Sequence, residues 1–96
     1  MSSAYIIANV DVKSPAEYEE YKRLSTVAMK VYGAEVCVRG GKVDVLEGDW
    51  EPQRIVVLKF ASVEAAKAFN DSPEYGKARA SRQGAEVMRM IVVDGL

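Results

Sequence analysis

The strongest constraint on the fold is the order in which strand-like and helix-like hydrophobic patterns follow one another along the chain. Runs that are β-branched or that alternate between apolar and polar residues predict β-strands. They are AYIIANVDV (4–12), EVCVR (35–39), KVDVLEG (42–48), RIVVLKF (54–60) and EVMRMIVV (86–93). Between them, apolar residues recur at spacings of three and four, which predicts amphipathic helices. Gly40-Gly41 divides 35–39 from 42–48, so we expect these two runs to form one broken strand.

The first helix has recognisable boundaries. SPAE (14–17) has the form of a capping box, with Pro15 at the first helical position. Gly33 is expected to close the helix after about Tyr32. The apolar stripe between these ends consists of Tyr18, Tyr21, Leu24, Val27 or Ala28, and Val31.

The second helical region is predicted to be broken in two. Ser62 caps VEAAKAFN, and Ser72-Pro73 begins a further helix that we expect to stop at Gly84. The element order is therefore β-α-β-β-α-β, the ferredoxin-like split pattern, with helices on one face of an antiparallel sheet. Because 96 residues provide one hydrophobic core, we predict a single α+β domain over residues 1–96.

One face of the predicted sheet has no helices to cover it, yet it is largely apolar. The helix-facing set is Ile6, Ala8, Val10, Val56, Leu58, Phe60, Met88, Met90 and Val92. The opposite set, which we call the open face, is Tyr5, Ile7, Asn9, Ile55, Val57, Lys59, Val87, Arg89, Ile91 and Val93. An uncovered face of an antiparallel sheet normally carries polar residues, and a large exposed apolar patch favours association. We therefore predict an obligate homodimer, sheet against sheet about a two-fold axis.

Composition excludes several classes of function. The net charge of −1 provides no basic surface for nucleic acid, and no apolar run is long enough to cross a bilayer. The chain has no histidine, which removes Ser-His and Cys-His catalysis and histidine-bound metal or haem. We expect no cofactor and no metal. The single Cys37 is expected to be buried and inert, and it favours a reducing, cytoplasmic location.

Arg39 has two interpretations. Its guanidinium could bind a substrate carboxylate or enolate, since its donors match the geometry of such groups. Alternatively, it forms a salt bridge between strands or subunits, with Glu47 or Asp49 as the partner. The following Gly40-Gly41 is expected to bend the strand or to form a bulge.

Trp50 and a polar group on the open face are further candidates. Trp50, the only tryptophan, lies in a predicted turn, either as a dimer contact or as a surface on which a ligand stacks. Tyr5, Asn9 and Arg89 interrupt the otherwise apolar open face on neighbouring strands. Because buried polar groups need partners, they form either a ligand cavity or a network across the interface, in which a glutamate of the second subunit pairs with Arg89.

Polar residues beside the broken second helix form a last candidate group. Ser72, Tyr75, Arg79 and Arg82 could approach a cleft there, with Tyr75 orienting a ligand. The alternative is that Ser72 is only an N-cap and that the two arginines lie on a solvated helical face.

Several motifs together resemble a known family. They are Arg39-Gly40-Gly41, Leu46-Glu47-Gly48-Asp49-Trp50, the strand 54–60 ending in Phe60, Ser72-Pro73-Glu74-Tyr75, and Arg82. With them the chain resembles the domain-of-unknown-function family numbered 1330, within the dimeric α+β barrel superfamily. The resemblance implies a dimeric ferredoxin-like barrel and assigns no activity. The wider superfamily contains cofactor-free monooxygenases, haem-degrading enzymes, isomerases and ligand-sensing modules.

Two functions stay open at this point. In the first, the protein binds or transforms a small, largely apolar molecule without metal or cofactor. Arg39 or Arg89 would then stabilise an oxyanion, and Asn9 or Tyr75 would orient the substrate. In the second, it is a non-catalytic dimeric module that binds a metabolite or a partner protein. The candidate ligand-binding residues are Asn9, Arg39, Arg89, Tyr75, Trp50 and Tyr5.

Overall fold

The computed structural model describes residues 3–82 and 86–96. Within them the elements are β1 (Ala4–Val12), α1 (Pro15–Val31), β2 (Glu35–Arg39), β3 (Arg54–Phe60), α2 (Val63–Asn70), α3 (Pro73–Ser81) and β4 (Glu86–Asp94). The strands form one antiparallel sheet in the order β2-β3-β1-β4. The predicted α+β ferredoxin-like architecture is confirmed. In this described part of the chain, no helix combines the length and the apolar character needed to cross a membrane.

The alternation of β1, a central strand, decides which face of the sheet carries the core. Ile6 is buried on this face, and the register places it between Leu58 of β3 and Val92 of β4. The helices supply the other half of the core through Tyr18, Tyr21, Ala28, Met29, Ala66, Phe69, Tyr75 and Ala78. Burial of a large apolar side chain contributes roughly 1.5–3 kcal/mol, so this face stabilises the fold and confirms the predicted division of the sheet.

The first helix begins and ends where its sequence predicts. Ser14 is the N-cap and Pro15 the first helical residue, but the Ser14 side chain makes no capping hydrogen bond. The predicted capping box is therefore wrong, and Pro15, which has no amide hydrogen to satisfy, begins the helix instead. At the other end Tyr32 is the C-cap, and Gly33 adopts a φ of +71°, which glycine tolerates without strain.

The second helical region is divided by two residues, as predicted. The Ser62 hydroxyl accepts a hydrogen bond from the amide of Ala65 at 3.0 Å. Ser72 does the same for the amide of Tyr75 at 3.1 Å and is itself buried. The third helix ends at Ser81, and its predicted end at Gly84 lies outside the described residues.

The strand predicted over 42–48 is absent, which corrects the sequence interpretation. Residues 41–53 form no strand, and nearly all of them are exposed. The amide of Gly40 still donates to the carbonyl of Ile55 at 2.8 Å, but the antiparallel partner strand begins at Arg54. Alternating residues beyond Gly40 therefore have no strand left to pair with, and alternation without a partner does not form a sheet.

A β-bulge in the edge strand overturns the prediction for Cys37. The register of β2 shifts between Val36, which pairs with Leu58, and Val38, which pairs with Val57. Cys37 is the extra residue, and its thiol is exposed rather than buried. The bulge lies three residues before the glycines, and Gly40, with a φ of +78°, provides a separate bend.

Candidate functional site

A small cavity lies between the sheet and the helices. Its volume is about 30 Å³, enough for roughly one or two water molecules. The sheet contributes Ile6, Ala8, Val56, Leu58, Met88 and Met90 to its walls. The remaining walls are Tyr18, Tyr21, Lys22, Ser25, Met29, Arg39, Phe69 and Tyr75. We call this space the tyrosine cavity.

Two buried hydroxyl groups face each other in the tyrosine cavity. The hydroxyl oxygens of Tyr21 and Tyr75 are 2.7 Å apart, and both side chains are almost fully buried. The Tyr75 hydroxyl also contacts the sulfur of Met88 at 3.9 Å. Phenolic hydroxyls both donate and accept hydrogen bonds, so this pair can orient one polar atom of a ligand in apolar surroundings.

Local structure holds the tyrosine rings in place. Tyr18 and Tyr21 are one turn apart on α1, and their rings stack at a centroid distance of 5.5 Å. Tyr75 lies in the first turn of α3, whose start is held by the Ser72 cap, and its ring packs against Phe69 at 4.8 Å. The tyrosines of the cavity thus come from both α1 and α3.

The bulge directs Arg39 into this region. It pairs with Val56, whose side chain packs against the core, so Arg39 lies on the helix side of the sheet. Its guanidinium donates to the carbonyl of Lys22 at 3.1 Å and to the hydroxyl of Thr26 at 2.8 Å. The salt bridge with Glu47 or Asp49 does not form within the described chain, where Arg39 bonds to neutral oxygens of α1.

A second arginine, not singled out by the sequence, lies beside Arg39. The Nε of Arg54 donates to the Tyr18 hydroxyl at 2.9 Å, and its guanidinium lies 5.4 Å from the centre of that ring. A groove of about 460 Å³ is lined by Glu19, Lys22, Arg23, Thr26, Arg39 and Arg54. We call this space the cationic groove; Lys22 and Arg39 line both it and the tyrosine cavity.

Two of the cations in the cationic groove are already paired. Lys22 forms an ion pair with Glu19 at 2.7 Å, and the Nε of Arg23 donates to Glu20 at 3.1 Å. The bond from Arg23 holds the pKa of Glu20 below its usual value. No carboxylate in the described residues pairs with either Arg39 or Arg54.

The structure does not bring the sequence-predicted site residues together. Asn9 and Arg89 pair across β1 and β4 on the open face, and Tyr5 lies on the same face. The opposite face carries Arg39 and Tyr75. The Oδ1 of Asn9 is buried without a hydrogen-bond partner, whereas Arg89 is exposed.

Trp50 lies in neither group. It is in the 41–53 segment with 62% of its surface exposed.

Two expected surface arginines contact aromatic rings instead. The guanidinium of Arg79 lies 5.1 Å from the centre of the Tyr75 ring, and that of Arg82 lies 5.1 Å from the centre of the Tyr21 ring. Arg79 also donates to the Asn70 carbonyl at 2.7 Å. Arg79 is nevertheless exposed, as the solvated-face alternative predicts, whereas Arg82 is half-buried.

Sequence reasoning missed Tyr18, Tyr21 and Arg54 as site residues. The sequence places both tyrosines only in the predicted core stripe of α1, because a tyrosine and an aliphatic residue at helical spacing give the same pattern. The one available indication was that this stripe carries hydroxyl groups, which need partners when buried. For metal ligands, no three acidic or thiol side chains converge anywhere in residues 3–82 and 86–96.

Comparisons with known proteins support the fold. A family described as a domain of unknown function, DUF1330, matches residues 3–96, which confirms the resemblance noted in the sequence. A protein of unknown function from Rhodopseudomonas palustris is 23% identical, with a TM-score of 0.74, over 99% of this chain and 83% of that chain. No curated protein has significant sequence similarity to the chain.

More distant structures share the same architecture. SnoaB, a cofactor-independent oxygenase from Streptomyces nogalater, is 10% identical, with a TM-score of 0.66, over 97% of this chain and 92% of that chain. A dabb family protein with a ferredoxin-like fold from Mesorhizobium loti is 18% identical, with a TM-score of 0.56, over 100% of this chain and 97% of that chain. At these identities the likeness concerns the fold alone.

Proposed function

We propose that this chain, which belongs to the DUF1330 family, binds a small, largely apolar molecule in the tyrosine cavity of each subunit. The observation that carries the proposal is the buried pair of hydroxyl groups on Tyr21 and Tyr75 in a cavity with largely apolar walls. Ligand sites are typically apolar spaces with a few placed polar groups, and this cavity has that composition.

Binding requires the cavity to open. Its volume of about 30 Å³ is far below the roughly 300–1,000 Å³ of ordinary ligand pockets. The adjacent cationic groove has about 460 Å³, and Arg39 lines both spaces. Arg39 is the last residue of an edge strand and is held to α1 by hydrogen bonds to Lys22 and Thr26. Displacement of Arg39 and Lys22, the two side chains that line both spaces, would join them.

We also propose that residues 1–96 act as one domain of a homodimer formed through the open face. Val87, Ile91 and Val93 are 52%, 60% and 43% exposed there. Covering apolar surface is favourable by roughly 25 cal/mol per Å². We retain the reducing cytoplasm as the predicted compartment, since Cys37 is an unpaired thiol.

A thermal-shift series tests the binding site, with indole and 1-naphthol as probes. Ser25 lines the cavity and is 1% exposed, so Ser25→Met fills the space. Asn9→Ala, on the opposite face, is the control. We expect the probes to stabilise the wild type and Asn9→Ala but not Ser25→Met. Arg39→Ala provides a second cavity variant if Ser25→Met does not fold. The proposal fails if neither probe stabilises the wild type, or if both cavity variants respond as it does.

The same hydroxyl pair favours a second candidate function, chemistry on a bound carbonyl or phenolate. Hydroxyl groups aimed at a developing oxyanion stabilise it, most strongly where water is excluded. Of Tyr21 and Tyr75, the hydroxyl that accepts their mutual hydrogen bond would then donate its own hydrogen to the ligand oxygen. Deuterium exchange at the carbon next to the carbonyl of 2-tetralone, followed by NMR, tests this. If the wild type and Tyr75→Phe exchange deuterium at the same rate, binding remains the sole proposed function.

A further inference from the structure

We propose that the cationic groove binds the carboxylate of an amphipathic acid whose apolar part occupies the tyrosine cavity, with Arg39 and Arg54 as the two carboxylate-binding side chains. The inference rests on the proposed function, because it assigns the cavity's ligand a chemical class. It depends on three observations: the charges of the groove, the free donors of its two arginines, and the glycine that makes room for one of them.

The charge balance of the groove favours an anion. Its walls carry Lys22, Arg23, Arg39 and Arg54 but only one carboxylate, that of Glu19. In a chain with net charge −1, this local excess of positive charge is not a general property of the surface. Lys22 and Arg23 form ion pairs with neighbouring glutamates. The guanidiniums of Arg39 and Arg54 have only neutral hydrogen-bond acceptors among the described residues.

The hydrogen bonds of these two arginines fix their position and leave donors for a ligand. Arg39 uses Nη2 for its bonds to α1, and Arg54 uses Nε for the Tyr18 hydroxyl. A guanidinium carries five N–H donors, so each retains several that can face the groove. Paired donors of this kind match a carboxylate in two parallel hydrogen bonds, which selects a planar acid group.

Gly40 is required for the position of Arg54. A Cβ atom at Gly40 would overlap the guanidinium of Arg54, which lies across the glycine backbone. Gly40 also has a φ of +78°, a conformation that side chains rarely adopt. Gly41 differs, because a Cβ there would meet nothing within 4 Å and its φ is not positive. The Arg-Gly segment thus both supplies one arginine and positions the other.

The ligand class follows from the join between the two spaces. Lys22 and Arg39 line the cavity as well as the groove, so an acid group in the groove is adjacent to an apolar part in the cavity. The ligand class is therefore a monocarboxylic acid with an aromatic or compact aliphatic body. Arg54 acts as a specificity residue, since it would bind the acid group and does not line the cavity. Gly40 acts through Arg54 as a positioning residue.

The test compares phenyl-substituted alkanoic acids of two to six chain carbons with their primary amides, by isothermal titration calorimetry. The variants are Arg54→Gln and Gly40→Ala. Gly41→Ala is the matched backbone control, and Lys30→Gln, exposed on α1, is the charge control. We expect the best acid to bind about 10- to 100-fold more tightly than its amide, as charge-assisted hydrogen bonds would provide. Both test variants should lose most of this difference, and both controls should keep it.

The outcomes separate the two proposals. If acid and amide bind with equal affinity, the carboxylate site is refuted while the cavity function stands. The same conclusion follows if Arg54→Gln and Gly40→Ala leave the acid's advantage intact. Tighter binding of the corresponding phosphate monoesters than of the acids refutes the carboxylate class. If neither acids nor amides bind, both the inference and the cavity function fail. Circular dichroism of each variant identifies loss of folding, and Arg54→Lys, which keeps the charge but loses the paired donors, replaces any variant that does not fold.

Discussion

Replacing Tyr75 by phenylalanine removes one hydroxyl group from the tyrosine cavity while keeping the ring. The ring should stay in place, because it is 1% exposed and packs against Phe69 at 4.8 Å. What is lost is the 2.7 Å hydrogen bond with Tyr21 and the contact with Met88. A buried hydrogen bond contributes about 0.5–1.5 kcal/mol net, whereas deletion of a whole aromatic side chain costs about 3–5 kcal/mol. We expect Tyr75→Phe to lower the free energy of unfolding by about 1 kcal/mol.

Urea denaturation measures this change, at one fixed protein concentration because the stability of the proposed dimer would depend on concentration. The midpoint should fall while the slope with denaturant stays constant. In thermal unfolding, a loss of about 1 kcal/mol corresponds to about 4–8 °C for a domain of this size. Adding Tyr21→Phe and the double variant completes a double-mutant cycle, with an expected coupling of about 1 kcal/mol between the two hydroxyl groups.

The coupling energy between Tyr21 and Tyr75 decides whether their hydroxyl groups act as a pair. A value below about 0.3 kcal/mol would show that the hydroxyl groups act independently, and the pair would then have no special role. A loss above about 3 kcal/mol for Tyr75→Phe alone would show that the ring itself has moved. Tyr5→Phe, on the open face, is the matched control and should have a smaller effect, because Tyr5 is only half-buried.

If the proposed homodimer forms through the open face, Ile91→Lys should convert it to a monomer in light scattering, because the variant puts a charge on that face. Val31→Lys on α1 should stay dimeric, and a dimer in both variants would exclude this interface. Burial and a hydrogen bond from Tyr32 to Glu74 raise the pKa of Tyr32. A tyrosine whose pKa is higher in the folded than in the unfolded protein contributes stability at pH values below its pKa in the unfolded protein, near 10. That contribution is lost as the pH rises through the pKa of Tyr32 in the folded protein. Tyr32→Phe should therefore lose less stability at alkaline pH, measured as the free energy of unfolding against pH. A pH dependence equal to that of the wild type would contradict this expectation. Ser72→Ala removes the N-cap of α3 and should cost about 1 kcal/mol in urea denaturation, largely restored in Ser72→Thr.

The predictions that succeeded rest on interactions between residues close in sequence. Alternation along β1 identified which side of the sheet is buried, because successive strand residues point to opposite faces. Ser72 as an N-cap and Gly33 as a helix end were found for the same reason, since each acts within one turn. The start of α1 shows the limit, because Pro15 fixed the boundary without the capping bond that Ser14 was expected to make.

The predictions that failed depend on pairing between distant segments. Residues 42–48 alternate well, but β3 is too short to pair with them. The face on which Arg39 lies depends on the bulge at Cys37, which has no mark in the sequence. Asn9 and Arg89 lie on the open face as predicted, whereas Arg39 lies opposite them beside the tyrosines.

Because of the bulge at Cys37, the face of the sheet on which Arg39 lies depends on a single extra residue. With the extra residue, Arg39 pairs with Val56 and lies on the helix side; without it, strict alternation would place the same arginine on the open face. An insertion or deletion of one residue at this point would move Arg39 from the cavity side of the sheet to the open face without altering any side chain. An arginine aligned with Arg39 in a relative has the same role only where that relative also keeps the one-residue offset.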